Sequence, residues 1–137
     1  MANDNFTPHG YRTVTPYFTV KDPEKMIQFV KTVFDAEELN RSINAEGRMI
    51  HAEVLIGDTI VEVSEGTDRF PPRPNTLHVF VSDTDECYRR ALEAGAASLY
   101  DAADMPYGER SAGVADPFGN HWYIATFKGK AGQGYYR

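Results

Sequence analysis

Five side chains that can move protons or bind a metal fall on short alternating segments: His51, Glu53, Glu62, His78 and His121. Carboxylate and imidazole are the usual partners in proton transfer, and burial or a charged neighbour sets which of them holds the proton. Glu62 is the candidate catalytic base, with a plain hydrogen-bonded pocket carboxylate as the competing reading. His51 and Glu53, two residues apart on one strand, can join it or pair across strands for structural reasons. The same residue types ligate divalent metals, so His51, Glu53, Glu62 and His78 also form a candidate metal set. Tyr17, Phe80, Tyr107 and Tyr123 are rings that can stack on a planar ligand. Arg110 can clamp an anionic ligand or serve a surface ion pair. Glycine-rich phosphate loops, Gly-x-Ser-x-Gly elbows and His-Glu-x-x-His helices do not occur.

Strand-like alternation must place these groups on common faces. In 13–20, Val14, Pro16, Phe18 and Val20 share one face and Thr13, Thr15, Tyr17 and Thr19 the other. In 50–56, Ile50, Ala52, Val54 and Ile56 oppose His51, Glu53 and Leu55. Val61 and Val63 oppose Ile60, Glu62 and Ser64. Leu77, Val79 and Val81 oppose Thr76, His78 and Phe80, and Trp122 and Ile124 oppose His121, Tyr123 and Ala125. Weaker strands are expected around 38–44, 97–101 and 110–115. Residues 100–110 read as a connecting loop or a mobile flap.

Two helices interrupt the strands. Asp22 can cap the first, with Pro23 at its opening position. Met26, Phe29, Val30 and Val33 make one buried stripe, and Asp35 falls where a left-handed stop is wanted. Asp83, with Glu86 three residues later, can cap the second. Cys87, Tyr88, Ala91 and Leu92 are its expected inner face, with Gly95 as the stop. Asp116-Pro117-Phe118-Gly119 fits a type I turn.

The order strand–helix–three strands occurs twice. Val20-Lys21-Asp22 parallels Val81-Ser82-Asp83 at an offset of 61, and the same offset relates Thr15 to Thr76 and Glu62 to Tyr123. The 137 residues therefore read as a single α+β domain of two tandem βαβββ modules. The modules span about 11–64 and 75–126, with a connector at 65–74 and loose tails at 1–10 and 127–137. A helix covers one face of each sheet, leaving Thr, Tyr, His, Glu and Phe faces that can enclose a small-molecule cavity. With 14 Lys and Arg against 20 Asp and Glu, the net charge of −6 argues against nucleic-acid and anionic-lipid partners. No apolar run is long enough to span a membrane, the first residues lack a signal-peptide pattern, and a single cysteine suits a reducing cytoplasm.

Several segments together resemble the vicinal oxygen chelate superfamily, which includes glyoxalase I, bleomycin-resistance proteins, extradiol dioxygenases and fosfomycin-resistance proteins. They are Thr15-Pro16-Tyr17-Phe18-Thr19-Val20, Phe29 with Val33-Phe34, His51-Ala52-Glu53, Ile56-Gly57-Asp58 and Asp116-Pro117-Phe118-Gly119-Asn120, and the small glyoxalase-like members are the most similar. The resemblance implies a paired βαβββ fold around one cavity and a homodimer. It places the family's metal ligands at Thr15, Glu62, Thr76 and Tyr123, of which only Glu62 is a good ligand. The expectation is therefore a metal-independent binder of a drug or metabolite, with Thr15, Tyr17, His51, Glu53, Glu62, Thr76, His78, Phe80, Tyr107, Arg110, His121 and Tyr123 lining its site. The alternative is a glyoxalase-like lyase or isomerase, or a dioxygenase, using a divalent metal at the displaced His51, Glu53, Glu62 and His78 set.

Overall fold

The computed structural model describes residues 6–130 and 132–135. Its two helices begin where their capping aspartates stand. Asp22 Oδ1 accepts from Lys25 N at 3.2 Å and Pro23 opens α1 (Pro23–Phe34). Asp35 ends α1 in the left-handed region at φ 54°, where an aspartate side chain is better tolerated than most. Asp83 Oδ1 accepts from Glu86 N at 3.1 Å to cap α2 (Thr84–Glu93), and Gly95 follows at φ 102°.

The chain divides into two compact units at the Pro74–Asn75 junction. The first holds α1 with β1 (Tyr17–Val20), β2 (Glu37–Ile43), β3 (Met49–Ile56) and β4 (Thr59–Glu65), in the sheet order β1-β4-β3-β2. The second holds α2 with β5 (Thr76–Phe80), β6 (Ala97–Met105), β7 (Glu109–Ala115) and β8 (His121–Phe127), in the order β5-β8-β7-β6. Each sheet joins an antiparallel three-strand meander to one parallel edge strand. Tyr17 pairs with Glu62 and Thr76 with His121, so the parallel register is 45 residues in both units. Each unit also skips a leucine in its outer strand, Leu39 in β2 and Leu99 in β6, and both leucines are exposed. The duplication thus extends to register and bulges.

The first core follows the alternation closely. Phe18, Val20, Ala52, Val54, Val61 and Val63 are buried with Met26, Phe29, Val30 and Val33 of α1. Two expected core residues are outside it. Ser42 pairs with His51 and Ile43 with Met49, so Ile50 is the extra residue of a bulge; Met49 turns in and Ile50 turns out. Val14 is 81% exposed because β1 starts only at Tyr17; Pro16 O accepts from Glu62 N at 3.0 Å, and residues 13–15 lie ahead of the strand.

In the second unit Trp122, Ile124, Ala112 and Val114 form the helix-side core. The expected α2 face is corrected: Thr84 and Ala91 are buried, whereas Cys87 and Tyr88 are half-buried and Leu92 is exposed. Thr84 sets this orientation, its hydroxyl lying 3.0 Å from the Arg110 carbonyl and 2.8 Å from the Thr126 hydroxyl. Residues 100–105 pair with β7, and a tight turn at 106–108 closes the hairpin, so this stretch is neither a loop nor a flap. Asp116 organises the next turn. Its carboxylate accepts from Phe118 N (2.9 Å), Asn120 N (2.8 Å), Asn120 Nδ2 (3.1 Å) and Trp122 Nε1 (2.8 Å). Asn120 Oδ1 in turn accepts from Asn75 N at 3.0 Å and ties the start of β5 to that turn.

Candidate functional site

In the first unit, β1, β4 and β3 bring Tyr17, Glu62 and Glu53 side by side on the face away from α1. Two carboxylates directly opposite each other on adjacent strands repel. Each has found a separate partner. His51, two residues from Glu53 on β3, places Nε2 2.7 Å from Glu62 Oε1. Glu53 accepts from the hydroxyl of Tyr11, a residue upstream of β1. Burial, and then the Glu53 contact, push the Tyr11 phenol well above its ordinary value. Thr15 does not join this face: lying ahead of β1, it donates to the Arg12 carbonyl at 3.3 Å.

In the second unit the corresponding face reads across the strands in rows. His78, Tyr123, Gly113 and Tyr100 form one row. A Cβ on Gly113 would overlap the Tyr100 ring, so the glycine lets that ring lie over β7. Tyr100 and Tyr123 have ring centroids 6.1 Å apart, and the Tyr100 hydroxyl is 2.7 Å from Ser111 Oγ. An open cleft of about 680 Å³ lies beside them, with Met105, Tyr107, His121 and Leu99 among its walls. Thr76 pairs with His121 at the end of this face and is itself exposed.

The row formed by Met105, Glu109 and Phe127 carries the least expected group. Glu109 is a glutamate with only 1% exposure. Its Oε1 is 3.3 Å from His78 Nε2 and accepts from the Tyr135 hydroxyl at 2.5 Å. Its Oε2 accepts from the Tyr107 hydroxyl at 3.2 Å. Phe80 stacks on His78 with centroids 4.6 Å apart, and the Tyr135 ring meets Phe127 edge-on at 5.2 Å. Burial, and then the contact with Glu109, push the Tyr135 phenol up to about 12. Glu109 is not a residue the alternation singles out: a glutamate after Gly108 at a turn carries no signal of burial. Tyr135, on the segment expected to be a loose tail, lies against this face instead.

Arg110 is a correction. It stands next to Glu109 on β7 and therefore points to the opposite side of the sheet. There its Nε bonds Asp85 at 3.0 Å and its guanidinium reaches Asp104 at 3.3 Å. These acids raise its pKa, the Asp85 hydrogen bond most, and tie it to the first turn of α2 rather than to the cleft.

The candidate metal set does not come together as one group. Glu62 is engaged by His51, Glu53 by Tyr11, and the His78 imidazole by Glu109. A metal centre of the kind the resemblance implies takes three or four such donors around one ion. Among the described residues no three His, Cys, Asp or Glu side chains gather in that way. The described donors do not fit a resident metal of that kind.

A model of the Glyoxalase/Bleomycin resistance protein/Dioxygenase superfamily matches residues 12–124. The uncharacterized protein Rv0887c of Mycobacterium tuberculosis H37Rv is 35% identical over 122 residues, covering 81% of this chain and 72% of that protein. Among solved structures, TioX from Micromonospora sp. ML1 superposes with a TM-score of 0.72 at 26% identity, over 85% of this chain and 98% of TioX. A variant of the fosfomycin resistance protein FosX from Listeria monocytogenes, complexed with Mn(II) and 1S,2S-dihydroxypropylphosphonic acid, superposes with a TM-score of 0.65. It is 20% identical, over 85% of this chain and 89% of its own, and so speaks for the fold alone.

Proposed function

The chain belongs to the Glyoxalase/Bleomycin resistance protein/Dioxygenase superfamily, and on that premise we propose that it binds a small aromatic organic molecule without a metal. The observation that carries this reading is the cleft of the second unit, where the Tyr123 and Tyr100 rings offer a stacking surface beside Met105, Tyr107 and His121. Rings give a planar ligand contact area at little entropic cost, and a few polar tips orient it. The net charge of −6 favours neutral or cationic compounds over anions. The test is a thermal-shift screen of aromatic neutral and cationic compounds against wild type and Tyr123→Ala. A compound that raises Tm in wild type should lose most of that effect in the variant. If no compound shifts Tm, or the shift survives in Tyr123→Ala, the reading is wrong. Elemental analysis checks the metal clause: a stoichiometric divalent metal lost on Glu62→Ala would defeat it.

One observation favours a second reading, a lyase or isomerase of the glyoxalase type. Glu62 lies 2.7 Å from His51, and the pair is partly exposed on the same face as Tyr17. A carboxylate so held can take a proton alpha to a carbonyl while the imidazole fixes its orientation. Solvent-deuterium incorporation into an α-hydroxyketone such as dihydroxyacetone, lost in Glu62→Gln, would favour it. No incorporation by wild type would remove it. A homodimer and a cytoplasmic setting complete the proposal, and light scattering in solution tests the first of these.

A further inference from the structure

Glu109 is buried at the start of β7 with donors on both oxygens, and one of those donors belongs to a distant part of the chain. The Tyr135 ring sits among Phe127 (5.2 Å, edge-on), Tyr107 (6.0 Å, edge-on) and Phe80 (6.4 Å, tilted 30°). A phenol ring thus fills an aromatic box and points its hydroxyl at an acid. The segment that brings it there contains Gly129, which lets the Phe127 ring lie against the backbone, and Gly132 and Gly134, whose missing side chains widen the conformations open to the chain before Tyr135. Lys128 N, bonded to Gly108 O at 2.9 Å, fixes its root, and Gln133 N bonds Lys130 O at 3.1 Å further along.

We propose that Glu109 and the rings of Phe80, Tyr107 and Phe127 form a binding site for small phenols, which Tyr135 fills in the free protein and which a phenolic ligand enters by displacing it. The chemistry selects the class. An incoming ring without a donor would fill the box yet leave Glu109 Oε1 without the hydrogen bond that Tyr135 gives it, a costly loss for a buried acceptor. An incoming phenol restores that bond and the three ring contacts. Tyr107 holds the other oxygen of the carboxylate at 3.2 Å, and His78, stacked on Phe80, stands 3.3 Å from the oxygen that Tyr135 meets. The proposal does not rest on the cleft reading. Tyr107 lines both places, but Tyr123 and Tyr100 serve the cleft, whereas Glu109 and Tyr135 serve the box.

The probe is p-cresol, the analogue of the tyrosine side chain, titrated calorimetrically into wild type and Tyr135→Ala, with toluene as the ring lacking the hydroxyl. Tyr135→Ala should bind p-cresol at least about tenfold more tightly than wild type, and p-cresol at least about tenfold more tightly than toluene. A chain ending at Lys130 is the second route to the same empty box and should behave like Tyr135→Ala. Equal p-cresol affinity in wild type and both variants overturns the proposal, because Tyr135 then does not occupy the site. Equal affinity for p-cresol and toluene also overturns it, because Glu109 then does not read the hydroxyl. Tyr123→Ala should leave p-cresol binding to the Tyr135→Ala background unchanged, so failure of the cleft reading is seen separately.

Discussion

Asp116→Ala is the substitution with the largest expected cost. The carboxylate is 5% exposed and accepts four hydrogen bonds, and the three from Asn120 N, Asn120 Nδ2 and Trp122 Nε1 come from residues at 0% and 1% exposure. Phe118 N lies nearer the surface, and water can replace its partner. A hydrogen bond to a charged group is worth about 1.5–3 kcal/mol, and a buried donor left without a partner costs about 1–3 kcal/mol. Three such donors that water reaches poorly give about 3–5 kcal/mol once local relaxation is allowed for. Net stability for a chain of this size is of the order of 5–15 kcal/mol, so the alanine variant should be marginal. Asp116→Asn keeps one oxygen for Phe118 N and Asn120 N and turns an amide toward Trp122 Nε1, and should lose about 2–3 kcal/mol. Urea titration followed by the fluorescence of Trp122, the single tryptophan, reads both as shifts of midpoint at constant slope. The reasoning fails if Asp116→Ala costs less than about 1 kcal/mol, or if Asp116→Asn costs more than Asp116→Ala.

Other outcomes follow from single contacts. Gly113→Ala places a methyl against the Tyr100 ring and should cost about 1–3 kcal/mol while weakening any ligand bound beside Tyr100 and Tyr123, read by the same titration and by calorimetry. Asp35→Gly relieves a left-handed backbone at the end of α1 and should stabilise by up to about 1 kcal/mol in urea. Hydrogen bonds from Arg89, and then Arg90, hold the Glu86 carboxyl at about 2, below its ordinary 4.5. Its stabilising contribution is therefore present above pH 4.5 and lost as the pH falls toward 2. Because the group is exposed, the effect is small and salt-sensitive, and Glu86→Gln should flatten that part of a Tm-against-pH curve.

What the sequence discloses depends on how sharply each residue's chemistry restricts its place. Asp22, Asp83 and Asp116 are legible because few residues accept backbone hydrogen bonds at such positions, and all three do so. Alternation puts Glu62 and Tyr123 on the polar faces because Val61, Val63, Trp122 and Ile124 flank them. It fails where neighbours give no contrast. In β7 the run Ser111, Ala112, Gly113 and Val114 is buried throughout, so nothing in the letters fixes which side Arg110 takes or that Glu109 takes the other. It fails also at Ile50, where one extra residue reverses the parity of the strand. Tyr11 and Tyr135 lie outside the repeating pattern altogether, and their importance comes from a tertiary contact with a glutamate of a middle strand, Glu53 in one unit and Glu109 in the other.

The 45-residue parallel register also orders events in time. β6, β7 and β8 meet their neighbours across short turns, whereas β5 reaches β8 only after the intervening chain has closed into a loop. Closing it carries an entropic cost that the hairpins avoid. Strand β5 is therefore the last to join the second sheet and the first to leave it, and its amides should exchange with deuterium ahead of those of β7. His78 and Phe80 ride on that strand, while Glu109 and Tyr123 belong to the meander that stays. The polar face is thus half scaffold and half hinge: brief opening of one edge strand uncovers Glu109 from the His78 side while the three-stranded frame remains intact.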